Sequence, residues 1–179
     1  MRRPQFSLKT MLWVTTFASV GVALLVTPTE RNRRAIAALE AAGAFIIFAE
    51  PAETTDEAFQ TLGRWISQDY FLEPREVHLG FTRPTDATLA PLRSLFGMKE
   101  LWLNNTDITD AQLVSLRGLT GLQRLVLRHN IRITDAGLQH LRGLRDLQLL
   151  DLRGTRVTDA GMAQLQAAMP NCQIRRSGT

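Results

Sequence analysis

His78 and Asp151 are the acid–base pair this sequence offers, and Trp102 with Arg124, Arg128 and Arg153 is its most conspicuous set of recognition side chains. A catalytic relay needs its members within hydrogen-bond reach. His78 and Asp151 stand at equivalent places in segments three apart, which as neighbouring strands would separate them by roughly 14 Å. No Ser or Cys accompanies His78, and His129 and His140 have no carboxylate or thiol at metal-ligand spacing. Gly118 and Gly121 lack the following Lys-Ser/Thr of a phosphate loop. Recognition is therefore expected rather than turnover: no enzyme, cofactor, metal or small-molecule substrate. Trp and Arg are the residue types over-represented among binding hot spots.

Four copies of one stretch must position these residues: Val77 to Glu100, Leu101 to Arg124, Leu125 to Leu149, and Leu150 to Ile174. In register they align Asp86, Asp110, Asp135 and Asp159 at steps of 24, 25 and 24 residues, the period of a stacked repeat. Each copy opens on alternating apolar residues such as Leu101 and Leu103, the signature of a short strand with one buried face. A polar turn and a Thr-Asp pair follow. The Thr (85, 109, 134, 158) reads as a helix N-cap and the Asp as a first-turn acid favoured by the helix dipole. Apolar residues three apart, Leu113 and Leu116 for example, then lie on one face of a short helix. Gly118 and Gly143 read as left-handed helix terminators. One unit cannot bury its own apolar face, so the units must stack.

The pattern LxxLxLxxN/T followed by ITDAGLxxLxGL resembles the leucine-rich repeat family, in its ribonuclease-inhibitor-like or cysteine-containing style, over about residues 74 to 174. That resemblance implies an α/β fold: a short right-handed leucine-rich-repeat solenoid with a parallel sheet and outer helices. It also implies that the concave sheet face is the contact surface for a protein partner. The strand residues pointing to that face are Glu76, His78, Glu100, Trp102, Asn104, Arg124, Arg128, Asp151 and Arg153. The opposing reading of Trp102 is that it only covers a flank of the sheet or packs on the caps. Where the family places an Asn or Cys at the corner after each strand, this chain has Thr82, Thr106, Asn130 and Thr155, whose polar groups can still bond loop backbone. The third copy carries one extra residue within His129 to Arg132, expected as a bulge on the loop side.

The segments outside the repeats set the domain plan. Residues 1–10 form a basic leader with Arg2, Arg3 and Lys9, and Met11 to Val26 carries no charge. As a helix Leu8 to Val26 is about 28 Å long, close to a bilayer core. Residues 11–27 therefore read as a transmembrane signal-anchor; a cleaved signal peptide and a buried helix are the alternatives. The flanking charges are nearly balanced, and a basic leader ahead of the first apolar segment places the N-terminus in the cytoplasm and the repeats outside it. Residues 30–73 read as an N-terminal cap: a helix from Thr29 to Ala42 ended by Gly43, a strand Ala44 to Phe48, and a second helix Asp56 to Gln68 with Trp65 beside its apolar face. The strand covers the exposed edge of the first repeat. Residues 74–174 are the repeats, and 175–179 a disordered basic tail.

With 21 basic and 17 acidic residues and three of the bases in the leader, the rest of the chain is near neutral, which argues against a nucleic-acid partner. Its single cysteine, Cys172, excludes an internal disulfide and occupies a repeat position held elsewhere by Met98, Leu122 and Leu147, so it reads as a small buried hydrophobe. Three functions stay open: a membrane-tethered protein-binding module, an envelope-organising structural protein without a specific concave-face ligand, and an arginine-donating regulator of a nucleotide hydrolase.

Overall fold

The computed structural model describes residues 32–48, 74–95 and 97–176. The proposed transmembrane segment and the helix Asp56 to Gln68 lie outside those residues. No helix among the described residues is long and apolar enough to cross a membrane.

Six strands form one sheet in chain order: β1 Phe45–Phe48, β2 Pro74–His78, β3 Glu100–Trp102, β4 Arg124–Val126, β5 Leu149–Asp151 and β6 Gln173–Arg175. β1 runs antiparallel to β2, and every later pair is parallel. Strands this short suffice because the ladder continues beyond them: Leu79, Leu103, Leu127 and Leu152 each donate a backbone N–H to the next unit, at 2.8, 2.8, 2.9 and 2.7 Å. Those leucines, with Val77, Leu101, Leu125 and Leu150, have no exposed surface and face the helical segments of their own units. Burying each such side chain contributes on the order of 2 kcal/mol, and the buried rows merge into one core. The helix over residues 32–41 closes the first end through Ala35 and Leu39, and Gly43 at φ +85° ends it in the left-handed region. At the other end the longest repeat helix, Asp159–Ala168, leads through buried Met169 and Cys172 into β6.

The helical segments are shorter than the apolar spacing predicts. Asp86–Leu89 and Asp135–Leu138 are single turns, the first running into the 3-10 stretch Ala90–Ser94, and the second unit holds only the 3-10 helix Gln112–Leu116. A step of 24 residues leaves little chain for helix once the strand and two connections are made. Gly118 and Gly143 do not take left-handed backbone; that conformation falls instead at the turn after each strand, at Phe81 (φ 62°), Asn105 (φ 53°), His129 (φ 57°) and Gly154 (φ 72°). His129 is therefore a regular turn position, and the extra residue of the third unit falls after Asn130, where Ile131 is exposed.

The Thr-Asp pairs do more than cap helices. Thr85, Thr134 and Thr158 accept N–H bonds from the helices they precede. Thr134 and Thr158 also send both backbone N–H and hydroxyl to the aspartate of the preceding unit: Thr134 to Asp110 at 2.8 and 2.6 Å, Thr158 to Asp135 at 2.8 and 2.6 Å. Each aspartate thus ties its unit to the next. Gly137 and Gly161 make room, since a Cβ on either would collide with Asp110 or Asp135 respectively. Thr109 is different and does not cap: its N–H and hydroxyl go to Oε1 of Gln112, three residues on, and Gln112 Nε2 reaches back to the Pro84 carbonyl at 2.9 Å. Gln112 stands where the later units have Gly137 and Gly161, so its own side chain supplies the acceptor that the preceding aspartate supplies elsewhere.

At the strand-to-turn corner Thr82, Thr106 and Thr155 each donate their hydroxyl to the carbonyl three residues back. Asn130, fully buried, does this and more. Its Nδ2 donates to Leu127 and to Leu103 of the preceding unit, and its Oδ1 accepts from the N–H and hydroxyl of Thr106. The amide's extra reach and second donor link units where a hydroxyl cannot.

Candidate functional site

The sheet face opposite the core is organised as rows. One runs Ile47, Glu76, Glu100, Arg124, Leu149, Gln173; the next runs Phe45, His78, Trp102, Val126, Asp151, Arg175. Just beyond the strands Gly80, Asn104, Arg128 and Arg153 occupy the corresponding turn positions. With strands about 4.8 Å apart, these side chains make one continuous surface. It carries every side chain that the strand alternation assigned to it.

Its first half is aromatic. The Trp102 ring stacks on His78, centroids 5.1 Å apart and planes 12° apart, and Phe45 meets His78 edge-on at 6.1 Å. Trp102 is consequently half-buried, not the freely exposed indole the sequence suggests. Glu100 fixes the arrangement by accepting from Trp102 Nε1 at 3.3 Å and from Arg124 Nη1 at 3.0 Å. Glu76 pairs with His78 Nε2 at 3.2 Å. Asn104 lies over Gly80, where a Cβ would come within 2.8 Å of the amide oxygen.

Its second half is cationic. Asp151 is only 3% exposed, so it does not present its carboxylate to a partner as the alternation alone implies. Arg153 takes both its oxygens, Nε donating at 2.9 Å to Oδ1 and Nη2 to Oδ2, while the Arg153 backbone N–H adds a third bond. Burial raises the Asp151 pKa, but these hydrogen bonds and the charges of Arg153 and Arg128 outweigh it and hold the carboxyl below its ordinary value. Arg153 is correspondingly held above the usual arginine range. The buried Nε of Arg128 is 3.9 Å from Asp151 Oδ2 and, among the described residues, has no hydrogen-bond partner.

Sequence reasoning missed four contributors. Phe45 and Ile47, 67% and 38% exposed, belong to the same face, because β1 turns Ile46 inward and its neighbours outward. Gln173 and Arg175 extend the rows at the other end. Arg175 is thus part of β6 and not of a disordered tail: Gln173-Ile174-Arg175 repeats the alternation of the other strands, which was the signal available. Arg176 pairs with Asp159.

His78 and Asp151 share a row with Trp102 and Val126 between them, so the structure does not bring them together. His140 Nδ1 faces Arg117 Nη2 at 2.6 Å on the helical side. Among the described residues no group of three or more His, Cys, Asp or Glu is placed to hold a metal. Cys172 is buried, and burial pushes its thiol up to about 11.

Residues 97–157 match the family model for the leucine rich repeat, a stretch spanning the second and third copies and the opening of the fourth. A search of curated proteins finds no match for the chain. On the family match, and on the strand, turn and helix units that carry it, residues 97–157 are similar to the leucine-rich repeat, whose domains are typically non-catalytic modules of protein–protein interaction.

Proposed function

We propose that this chain is a membrane-tethered leucine-rich-repeat module, a short right-handed solenoid whose concave sheet face binds another protein without catalysis. The observation that carries the reading is the juxtaposition on that face of the Phe45, His78 and Trp102 rings with Arg124, Arg128 and Arg153. None of these side chains is required by the core, which the inward leucines fill. Aromatic rings beside arginines are the composition of binding hot spots. The tether rests on the uncharged run Met11 to Val26, with the N-terminus inside and the repeats outside the cytoplasm. Parallel crossovers of this kind are nearly always right-handed.

Crosslinking in native membranes, with identification of what is joined to the repeats, tests the face. Trp102→Ala and Arg128→Glu should each weaken capture about tenfold or more, while Gln139→Glu on the helical side should leave it unchanged. Equal capture by all three, with unchanged circular dichroism, removes the concave-face reading and favours an envelope-organising role. Retention of the chain on membranes through an alkaline high-salt wash tests the tether, and release into the wash ends it.

A further inference from the structure

The face is polarised along the stacking direction, and resting on the concave-face reading we propose that its partner offers an extended acidic segment: an apolar or aromatic side chain seated against the Phe45–His78–Trp102 row, with carboxylates about three residues further on meeting Arg128, Arg153 and Arg175. Two features of the geometry point to this chemistry. In the first half the carboxylates are already engaged, Glu76 by His78 and Glu100 by Trp102 and Arg124, so what remains open is ring surface and the exposed Phe45 and Ile47 side chains. In the second half the guanidiniums of Arg128 and Arg153 face the one carboxylate of Asp151, which is itself buried, and Arg175 on the next strand stands in register with Asp151, so the rows there carry three arginines to one aspartate. Arg153 takes both oxygens of Asp151, and although the Arg128 Nε is buried, the Arg128 side chain is 41% exposed, so its outer guanidinium edge faces solvent. Among the described residues Arg175 bonds the neutral Gln173 side chain, at 3.3 Å.

Such a site accepts an anion, and bidentate arginine geometry suits a carboxylate. The spacing follows from the sheet. Trp102 is on β3 and Asp151 on β5, two strand intervals or roughly 10 Å apart, which an extended chain at about 3.3 Å per residue crosses in three residues. A single-stranded nucleic acid would also stack on rings and pair with arginines. Glu76 and Glu100 beside the ring row disfavour it, since a base seated on Trp102 would bring its phosphates against those carboxylates.

The test uses the full chain in mild detergent and fluorescein-labelled peptides: one with a Phe three residues before a Glu pair in a Gly-Ser background, one with Lys in place of Glu, and one with Ala in place of Phe, alongside a short oligo-dT. The Phe–Glu peptide should bind, with affinity falling as salt is added, and should weaken at least about tenfold on Trp102→Ala and on Arg128→Glu. The Lys peptide should not bind the parent. Arg175→Glu, at the last strand and away from the core, should weaken the Phe–Glu peptide several-fold and guards against misfolding of the Arg128 variant. Equal binding of Lys and Glu peptides, salt-independent binding, or tighter binding of oligo-dT than of the Phe–Glu peptide overturns the proposal. Failure of every peptide while Trp102→Ala still abolishes capture in membranes overturns the acidic chemistry alone; normal capture by Trp102→Ala and Arg128→Glu removes the concave-face reading with it.

Discussion

Gly161→Ala is the substitution on which the coupling between units can be measured. In an isolated helix the change is favourable, by up to about 1 kcal/mol, because Gly is a poor helix former. Here the added Cβ would fall on the Asp135 carboxylate, which must then swing away from Thr158. That breaks two charge-assisted bonds, to the Thr158 N–H and hydroxyl. A hydrogen bond to a charged group contributes roughly 1.5–3 kcal/mol when buried, and Thr158 is exposed, so solvent screening reduces the pair together to about 2 kcal/mol. The net expectation is a loss of about 1 kcal/mol, a few degrees in melting temperature. The decisive comparison is in an Asp135→Ala background, where the obstructing carboxylate is gone and Gly161→Ala should become neutral or stabilising. Urea denaturation of the four members of this cycle gives the coupling energy. If Gly161→Ala stabilises both backgrounds equally, the aspartate does not join the third unit to the fourth and the account of the Asp-Ala-Gly sequence fails.

The same carboxylate sets an acid limit. The Thr158 side-chain and backbone bonds hold the Asp135 carboxyl below its ordinary pKa. A lowered folded-state pKa contributes stability that is fully present above the unfolded value and is lost as pH falls through the folded one. Acid titration of the parent should therefore show a component of unfolding below about pH 4 that is missing from Asp135→Asn. In the second unit the roles are exchanged: Gln112→Ala should destabilise by about 1–2 kcal/mol, by removing the acceptor for Thr109 and the bond to Pro84, whereas Thr109→Ala, which removes no cap, should cost less than Thr158→Ala. Asn130→Ala should cost more than either, about 2–4 kcal/mol, because it strands the Thr106 N–H and the Leu127 carbonyl in the core and takes one of two donors from the Leu103 carbonyl. Cys172 should resist thiol reagents in the native state at neutral pH and react only as the chain unfolds, which a stopped-time alkylation followed by mass spectrometry reads directly.

How far the sequence alone reaches is visible in individual residues. The alternation Val77-Leu79, Leu101-Leu103, Leu125-Leu127, Leu150-Leu152 fixes which side chains face inward, and since period-two alternation leaves no freedom of face, it also fixes the rows Glu100–Arg124 and His78–Trp102. Contacts between neighbouring rows are not encoded by any period. That Trp102 would lean onto His78, or Arg153 fold over Asp151, depends on rotamers chosen jointly by side chains 24 or more residues apart or two apart on one strand. From sequence the Thr-Asp pair reads as a local cap because propensity describes one helix at a time. Its larger role across units becomes legible only when Gly137 and Gly161 are set against Gln112, the position that decides whether the preceding aspartate can approach.

The two ends of the sheet extend the candidate surface beyond what the repeats alone supply. Phe45 to Phe48 closes the first unit, and a strand that closes a sheet still has two faces: antiparallel pairing of Phe45 with His78 and Ile47 with Glu76 turns those two side chains onto the outer face. At the far end the pairing of Asp151 with Arg175 adds a guanidinium to the arginines already there. The closing strands thereby lengthen the face in both directions with opposite chemistry, apolar at β1 and cationic at β6. A partner reading that face meets a direction as well as a composition, so reversing the order of apolar and acidic residues in a peptide of fixed composition should lower its affinity even though every pairwise contact remains available in principle.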